Sequence, residues 1–218
     1  PERLRRLGIV KPVVVTELGP LGQWQAGRKP WGAPVELTSS QKADFFRDAL
    51  AFLAAQPQVA GAFPFLWGAK QEQTGTWHGL LLADGSATAM TDALSAAWGR
   101  PVTQAAPLIR GIGIAADEFS PGQTMSAGVD AASFDGSPLA TVWEVRAEAT
   151  DLRAGGDHET APPRIDVTLQ QADAQSVRFT APAAPGAYRL FITVRDRLGK
   201  AATANLPFLV RQPNSVRE

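Results

Sequence analysis

The apolar run that ends at Glu17 limits what the N-terminal part of this chain can fold into. Residues 13–16 read Val-Val-Val-Thr, Glu17 follows, and Gly19-Pro20 ends the segment. Three successive apolar residues without polar alternation predict a strand buried on both faces, as in a parallel sheet. A glutamate at the carboxyl end of such a strand stands where α/β barrels carry their catalytic groups. Glu17 is therefore the first candidate catalytic residue.

Strand and helix patterns alternate through the first 99 residues. A strand over 13–17 is followed by a helix that begins after Thr38, where Gln41 three residues on completes a capping-box pattern. A second strand is predicted over 59–67 and a last helix over 87–98. This order predicts successive βα units with parallel strands. Residues 1–8 resemble the tail of a helix that ends at a glycine, so we expect the chain to be a portion of a longer protein.

The pattern changes to period two beyond a Pro- and Ala-rich segment at 100–107. Short alternating strands separated by turn residues follow over about a hundred residues, which is typical of a β-sandwich. The clearest strand places four apolar side chains on one face: Tyr188, Leu190, Ile192 and Val194. We expect three parts: residues 1–99, a linker over 100–107, and an immunoglobulin-like sandwich over 108–213. In that sandwich Tyr188 is expected to bond upstream backbone and Trp143 to lie in the core.

Composition excludes several classes of function. The 21 Lys and Arg residues balance the 21 Asp and Glu residues, so nothing in the net charge favours nucleic acid or an anionic membrane as partner. The chain has no cysteine, and its histidines, His78 and His158, lie far apart in sequence. We predict neither a metal site nor a cofactor. No apolar run approaches the length of a membrane span.

Tryptophans cluster in the loops that adjoin the two predicted N-terminal strands. Trp67 ends the second strand, and an indole there offers a flat apolar face to a sugar ring. Further candidates for substrate binding lie in the neighbouring loops: Trp24, Trp31, Trp77 and Gln71. The alternative interpretation is that these tryptophans anchor long loops to the core and that Gln71 is a solvated loop residue. Glu72 is a candidate acid and His78 a candidate substrate contact, each with an ordinary loop role as its alternative.

Two motifs in order resemble a known family. Val-Thr-Glu-Leu-Gly-Pro around Glu17 and Phe-Pro-Phe-Leu-Trp-Gly around Trp67 resemble strands seven and eight of clan A retaining glycoside hydrolases, in particular bacterial family-two-like hydrolases. The resemblance covers residues 9–99. It implies a fold class of α/β plus all-β, namely the last βα units of a TIM barrel followed by the sandwich. It also implies that Glu17 is the nucleophile and that Trp67 lines the sugar subsite.

The same family takes its acid/base from an Asn-Glu pair, and this chain contains no such dipeptide. We therefore expect part of a retaining hydrolase of β-linked oligo- or polysaccharides, with the missing N-terminal barrel portion as its partner. Alone, the chain is expected to be inactive. Two alternatives stay open: a non-catalytic carbohydrate-binding or interaction module, and a transglycosylase on the same scaffold. The substrate class implies a periplasmic or secreted location.

Overall fold

The computed structural model describes residues 2–153 and 157–212, so the predicted domain limits at residues 1 and 213 lie outside the described residues. The described chain is mainly β. In chain order its elements are α1 (Glu2–Arg6), β1 (Val13–Leu18), α2 (Ser39–Ala54), β2 (Val59–Pro64), α3 (Ala89–Ala97), β3 (Leu108–Ile114), β4 (Glu118–Phe119), β5 (Thr124–Ala132), β6 (Ala140–Ala147), β7 (Arg164–Ile165), β8 (Leu169–Asp173), β9 (Ser176–Thr180), β10 (Gly186–Arg195) and β11 (Ala201–Val210).

Strands β3 to β11 form a β-sandwich. One sheet has the order β4-β11-β10-β6-β7 and the other the order β3-β5-β9-β8. Their facing sides enclose a core to which β10 contributes the four alternating side chains predicted from the sequence, Tyr188, Leu190, Ile192 and Val194. An alternating strand buries every second side chain, so the apolar positions of β10 identify the face that lies on the core. The all-β arrangement is consistent with the immunoglobulin-like part of the expectation.

Two local predictions within the sandwich are confirmed. The Tyr188 hydroxyl donates a hydrogen bond of 2.8 Å to the carbonyl oxygen of Ala184, four residues upstream. Trp143 lies in the core and is only 3% exposed. Both residues therefore have structural roles that the sequence pattern indicated.

The N-terminal part is organised around α2 and α3, which pack on one another. Their shared core contains Phe46, Leu80, Met90 and Leu94, and Leu18 at the end of β1 packs against it. The predicted capping box is present: the Gln41 N–H donates to the Thr38 hydroxyl, and the Thr38 N–H donates to the Gln41 side chain. These bonds satisfy backbone donors that the first turn of a helix leaves free.

The predicted fold class, an α/β barrel portion followed by a sandwich, is wrong. Strands β1 and β2 pair in parallel with α2 in the connection between them, but they form a sheet of two strands only, and no TIM-barrel βα units are present among the described residues. The apolar run suggested burial on both faces, whereas Val14 is 49% exposed. Local apolarity does not determine how many strands a sheet contains, because strand pairing is a non-local property.

The N-terminal part lies against the five-stranded sheet of the sandwich. The N–H of Thr203 on β11 donates to the Ser39 hydroxyl at 2.9 Å, so the start of α2 is joined directly to that sheet. Lys200, in the turn before β11, pairs with Asp92 on α3 at 2.6 Å. Within the expected linker, Ala106 is buried against the helices. Helices α2 and α3 are thus joined directly to the sandwich.

Candidate functional site

Glu17 and Trp67 lie at one edge of the parallel pair, which we call the Glu17–Trp67 edge. Leu18 is the register partner of Pro64, and the Phe65 N–H donates to the Leu18 carbonyl at 2.8 Å. Parallel strands present their carboxyl ends to the same side of a sheet, so Glu17 at the end of β1 and the loop residue Trp67 after β2 are both on that side. Glu17 and Trp67 thus follow strands that end on the same side of the sheet, but the strand predicted over 59–67 ends at Pro64, so Trp67 lies in the loop after β2 and does not end the strand.

Both side chains at this edge are accessible. Glu17 is exposed and Trp67 is 56% exposed. Among the residues that the structure describes, no ion pair engages the Glu17 carboxylate. The edge therefore offers a carboxylate without an ion-pair partner and, in the loop after the neighbouring strand, an exposed flat apolar ring.

The remaining candidate tryptophans differ in exposure. Trp24 is 69% exposed, and its ring folds back over Gly22, where a Cβ atom would lie 2.6 Å from the ring. Any larger residue at position 22 would displace this indole. Trp31 is half-buried, and its ring N–H is buried without a partner in the described part of the chain.

Trp77 is an anchor in this structure. It is 1% exposed, and its ring N–H donates a 3.0 Å hydrogen bond to the carbonyl oxygen of Leu21. This bond ties the loop after β2 to the loop after β1, as the loop-anchoring alternative expects. A ring so completely buried presents no face to a ligand here.

A compact polar group lies beside the Glu17–Trp67 edge. His78 packs edge-on against Phe65, with ring centroids 5.3 Å apart, and a Cβ atom at Gly19 would lie 3.8 Å from its Nδ1 atom. The His78 Nε2 atom is 3.5 Å from Glu72, which pairs at 2.7 Å with Lys70. Burial lowers the pKa of His78 and outweighs the opposing effect of Glu72, so the imidazole is neutral at pH 7. Glu72 is thus paired with Lys70, whereas the neutral His78 ring offers it no opposite charge.

A buried polar network, absent from the sequence predictions, holds this loop in place. The Glu36 carboxylate accepts hydrogen bonds from Lys42 at 2.5 Å, from Thr74 and Asn205 at 2.6 Å, and from Thr76 at 2.9 Å. We call these five residues the Glu36 network. It joins helix α2, the loop after β2 and strand β11, and so fixes the segment that carries Glu72, Trp77 and His78.

The electrostatics of the Glu36 network follow from its depth. The side chains of Lys42 and Glu36 are only 2% and 1% exposed. Burial acts to raise the pKa of Glu36, but the Lys42 ammonium and the hydrogen bonds from Lys42 and Thr74 outweigh it, so this pKa lies below its ordinary value of 4.5. Glu36 is therefore ionised at neutral pH.

Gln71 lies in a different place from the other candidates. It lines a cavity of about 390 Å³ between segment 71–84 and the outward face of β6 and β10, which we call the β6–β10 cavity. Neither Glu17 nor Trp67 is among its lining residues. The sequence grouped Gln71 with the strand-end candidates because it follows β2 closely, but the loop turns toward the sandwich.

Within the described ranges, no group of three His, Asp or Glu side chains is placed to hold a metal ion. No helix there is long and apolar enough to cross a membrane.

Comparison with known proteins gives only distant structural similarity. No protein-family model and no curated protein matches the chain. Among solved structures, about half of the chain is similar to the PKD domain of an M14-like peptidase from a Thermoplasmatales archaeon, with 12% identity over all of that domain and a TM-score of 0.33. The Lin-41 filamin domain matches 50% of this chain and 100% of its own, with 14% identity and a TM-score of 0.32. PcoC, a copper resistance protein from Escherichia coli, matches 44% of this chain and 91% of its own, with 16% identity and a TM-score of 0.28. Similarity at this level supports no assignment of function.

Proposed function

We propose that this chain binds a β-linked oligo- or polysaccharide at the Glu17–Trp67 edge and supplies the nucleophile of a retaining glycoside hydrolase. The observation that supports this proposal is that an accessible carboxylate at the end of β1 and an accessible indole three residues after β2 lie on the same side of the parallel pair. The sequence motifs around these two residues resemble those that hold the nucleophile and the sugar platform in retaining hydrolases. The substrate class implies a periplasmic or secreted protein.

In the proposed mechanism Glu17 acts on the anomeric carbon. Its carboxylate attacks that carbon, the glycosidic bond breaks, and a covalent glycosyl-enzyme forms; water then releases the sugar with retained configuration. Because no cation in the described residues pairs with Glu17, its negative charge is available to stabilise the oxocarbenium-like transition state. Trp67 positions the ring by stacking on its C–H face.

The proton donor in this proposal comes from a polypeptide segment outside this chain. Retaining hydrolysis requires a second carboxyl group about 5–5.5 Å from the first. Glu72, the nearby loop carboxylate, is already paired with Lys70. Strand β2 and the residue after it also leave apolar surface for such a segment, since Phe63 is 56% and Phe65 37% exposed.

Calorimetric titration with β-glucan, β-mannan and β-galactan oligosaccharides tests the binding step. Trp67→Ala should weaken binding about tenfold, because it removes the stacking face. The matched control is Trp98→Ala, since Trp98 is equally exposed, at 57%, but follows α3. Glu17→Gln should bind with nearly unchanged affinity. Binding that survives Trp67→Ala would instead favour a non-catalytic module that uses the sandwich.

A further inference from the structure

The β6–β10 cavity has a defined floor and wall. On its floor, Phe191 of β10 lies directly opposite Glu144 of β6 in the antiparallel register. The loop that contains Gln71 and Gln73 forms part of the wall, and Asp84 lies further along the same segment. At about 390 Å³ the cavity falls in the size range of small-molecule sites in proteins. It is therefore large enough for a monosaccharide or a comparable small molecule.

The charges around the cavity cancel locally. Each of its three lining guanidinium groups has a carboxylate partner among the lining residues: Arg146 with Glu144 at 2.7 Å, Arg195 with Asp84 at 2.6 Å, and Arg189 with Glu148 at 2.9 Å. An anionic or cationic ligand would have to break one of these pairs to gain an ionic contact. The lining instead presents fixed donors and acceptors with no net charge, which suits a neutral ligand rich in hydroxyl groups.

One lining group lacks a partner. The Gln71 Nε2 atom is buried, and no described residue accepts a hydrogen bond from it. Buried polar atoms are almost always hydrogen-bonded, so an unpartnered amide at a cavity wall is a group that a bound water or a ligand would satisfy. A ligand hydroxyl both donates and accepts, and it would satisfy this amide in either of its two orientations. The half-buried ring of Phe191 supplies the apolar surface on which a C–H face can lie.

We infer that the β6–β10 cavity is a second binding site, selective for a neutral polyhydroxylated small molecule such as a mono- or disaccharide. This inference does not depend on the proposed function, because none of its residues belongs to the Glu17–Trp67 edge. It assigns to Gln71 a hydrogen-bonding role toward ligand hydroxyls, and to Phe191 a stacking role. The three ion pairs set the preference for an uncharged ligand.

NMR titration of the full chain tests the inference, with glucose, galactose, mannose, cellobiose and maltose as neutral probes, and glucuronate and phosphate as charged probes. At least one neutral sugar should shift backbone signals of β10 and of residues 71–76 at millimolar concentration. Gln71→Leu has a similar volume but no hydrogen-bonding group, and it should weaken this binding about tenfold. Gln170→Leu, on the exposed face of β8, is the matched control and should leave it unchanged.

Trp67→Ala separates the two sites, because it should leave the shifts on β10 intact whether or not the Glu17–Trp67 edge binds glycan. Three results would overturn the inference: no sugar shifts these signals, Gln71→Leu binds as tightly as the unaltered chain, or glucuronate and phosphate bind there more tightly than the neutral sugars.

Discussion

Removing the cation of the Glu36 network should cost the fold several kcal/mol. In Lys42→Met the apolar stem of the side chain is kept, but Glu36 remains buried without its ammonium partner. Deleting one member of a buried ion pair costs about 3–5 kcal/mol. Glu36 keeps three neutral donors, from Thr74, Thr76 and Asn205, and Arg189 lies close enough to lower its pKa. We therefore expect the low end of that range, about 3 kcal/mol.

The stability lost in Lys42→Met should depend on pH in a definite direction. In the unaltered chain the pKa of Glu36 is lowered, so its contribution to stability is present above pH 4.5 and is lost as the pH falls through the lowered value. In Lys42→Met, burial without the ammonium should instead raise the pKa of Glu36. Ionisation then destabilises the folded state as the pH rises. The stability gap between the two proteins should therefore widen from pH 4.5 to pH 7.

Urea unfolding of both proteins at pH 4.5 and pH 7, followed by circular dichroism, measures the gap. The control is Glu36→Gln combined with Lys42→Met, which removes both charges and should recover much of the loss at pH 7, because no charge is left buried. Two results would contradict this prediction: a loss of stability at pH 7 below about 1 kcal/mol, or a stability gap that does not change with pH. Either would show that Glu36 does not depend on the Lys42 ammonium for its buried charge.

Two further substitutions test structural anchors by urea unfolding at pH 7. Trp77→Phe removes the bond to the Leu21 carbonyl and leaves a void around a fully buried ring. It should therefore lower the free energy of unfolding by about 2–4 kcal/mol. A loss as small as that caused by Trp98→Phe, a substitution at an exposed position, would contradict the anchoring role. Tyr188→Phe removes only the hydroxyl that bonds to Ala184 and should cost about 1 kcal/mol, and unchanged stability would show that this bond contributes nothing net.

The sandwich was predictable because its signal is local. Alternate residues of β10 are apolar, and each of them is buried in the structure. The hydroxyl bond of Tyr188 and the capping box at Thr38 also join residues within four positions of each other. Patterns of this range can be read directly from the chain.

The parts that could not be predicted depend on distant pairings. Glu36 meets Thr74 at a separation of 38 residues and Asn205 at a separation of 169. No spacing rule relates such positions, and a glutamate before a helix and an asparagine in a strand are ordinary residues in sequence. The barrel expectation failed for the same reason, because the apolar run at 13–15 contains no information on which strands adjoin it. The β6–β10 cavity likewise exists only where a loop meets a sheet.

The most direct test of the central claim is covalent trapping at Glu17. A 2,4-dinitrophenyl 2-deoxy-2-fluoro-β-glycoside has a leaving group that needs no proton donor, and its fluorine slows hydrolysis of the glycosyl-enzyme. The chain alone should therefore form an adduct with a gluco-, manno- or galacto-configured reagent, and peptide mass spectrometry should locate it on Glu17. Glu17→Gln should abolish labelling, and Glu118→Gln, which alters another exposed carboxylate, should not. An adduct at another residue, or no adduct with any of the three reagents, would contradict the assignment of Glu17 as nucleophile.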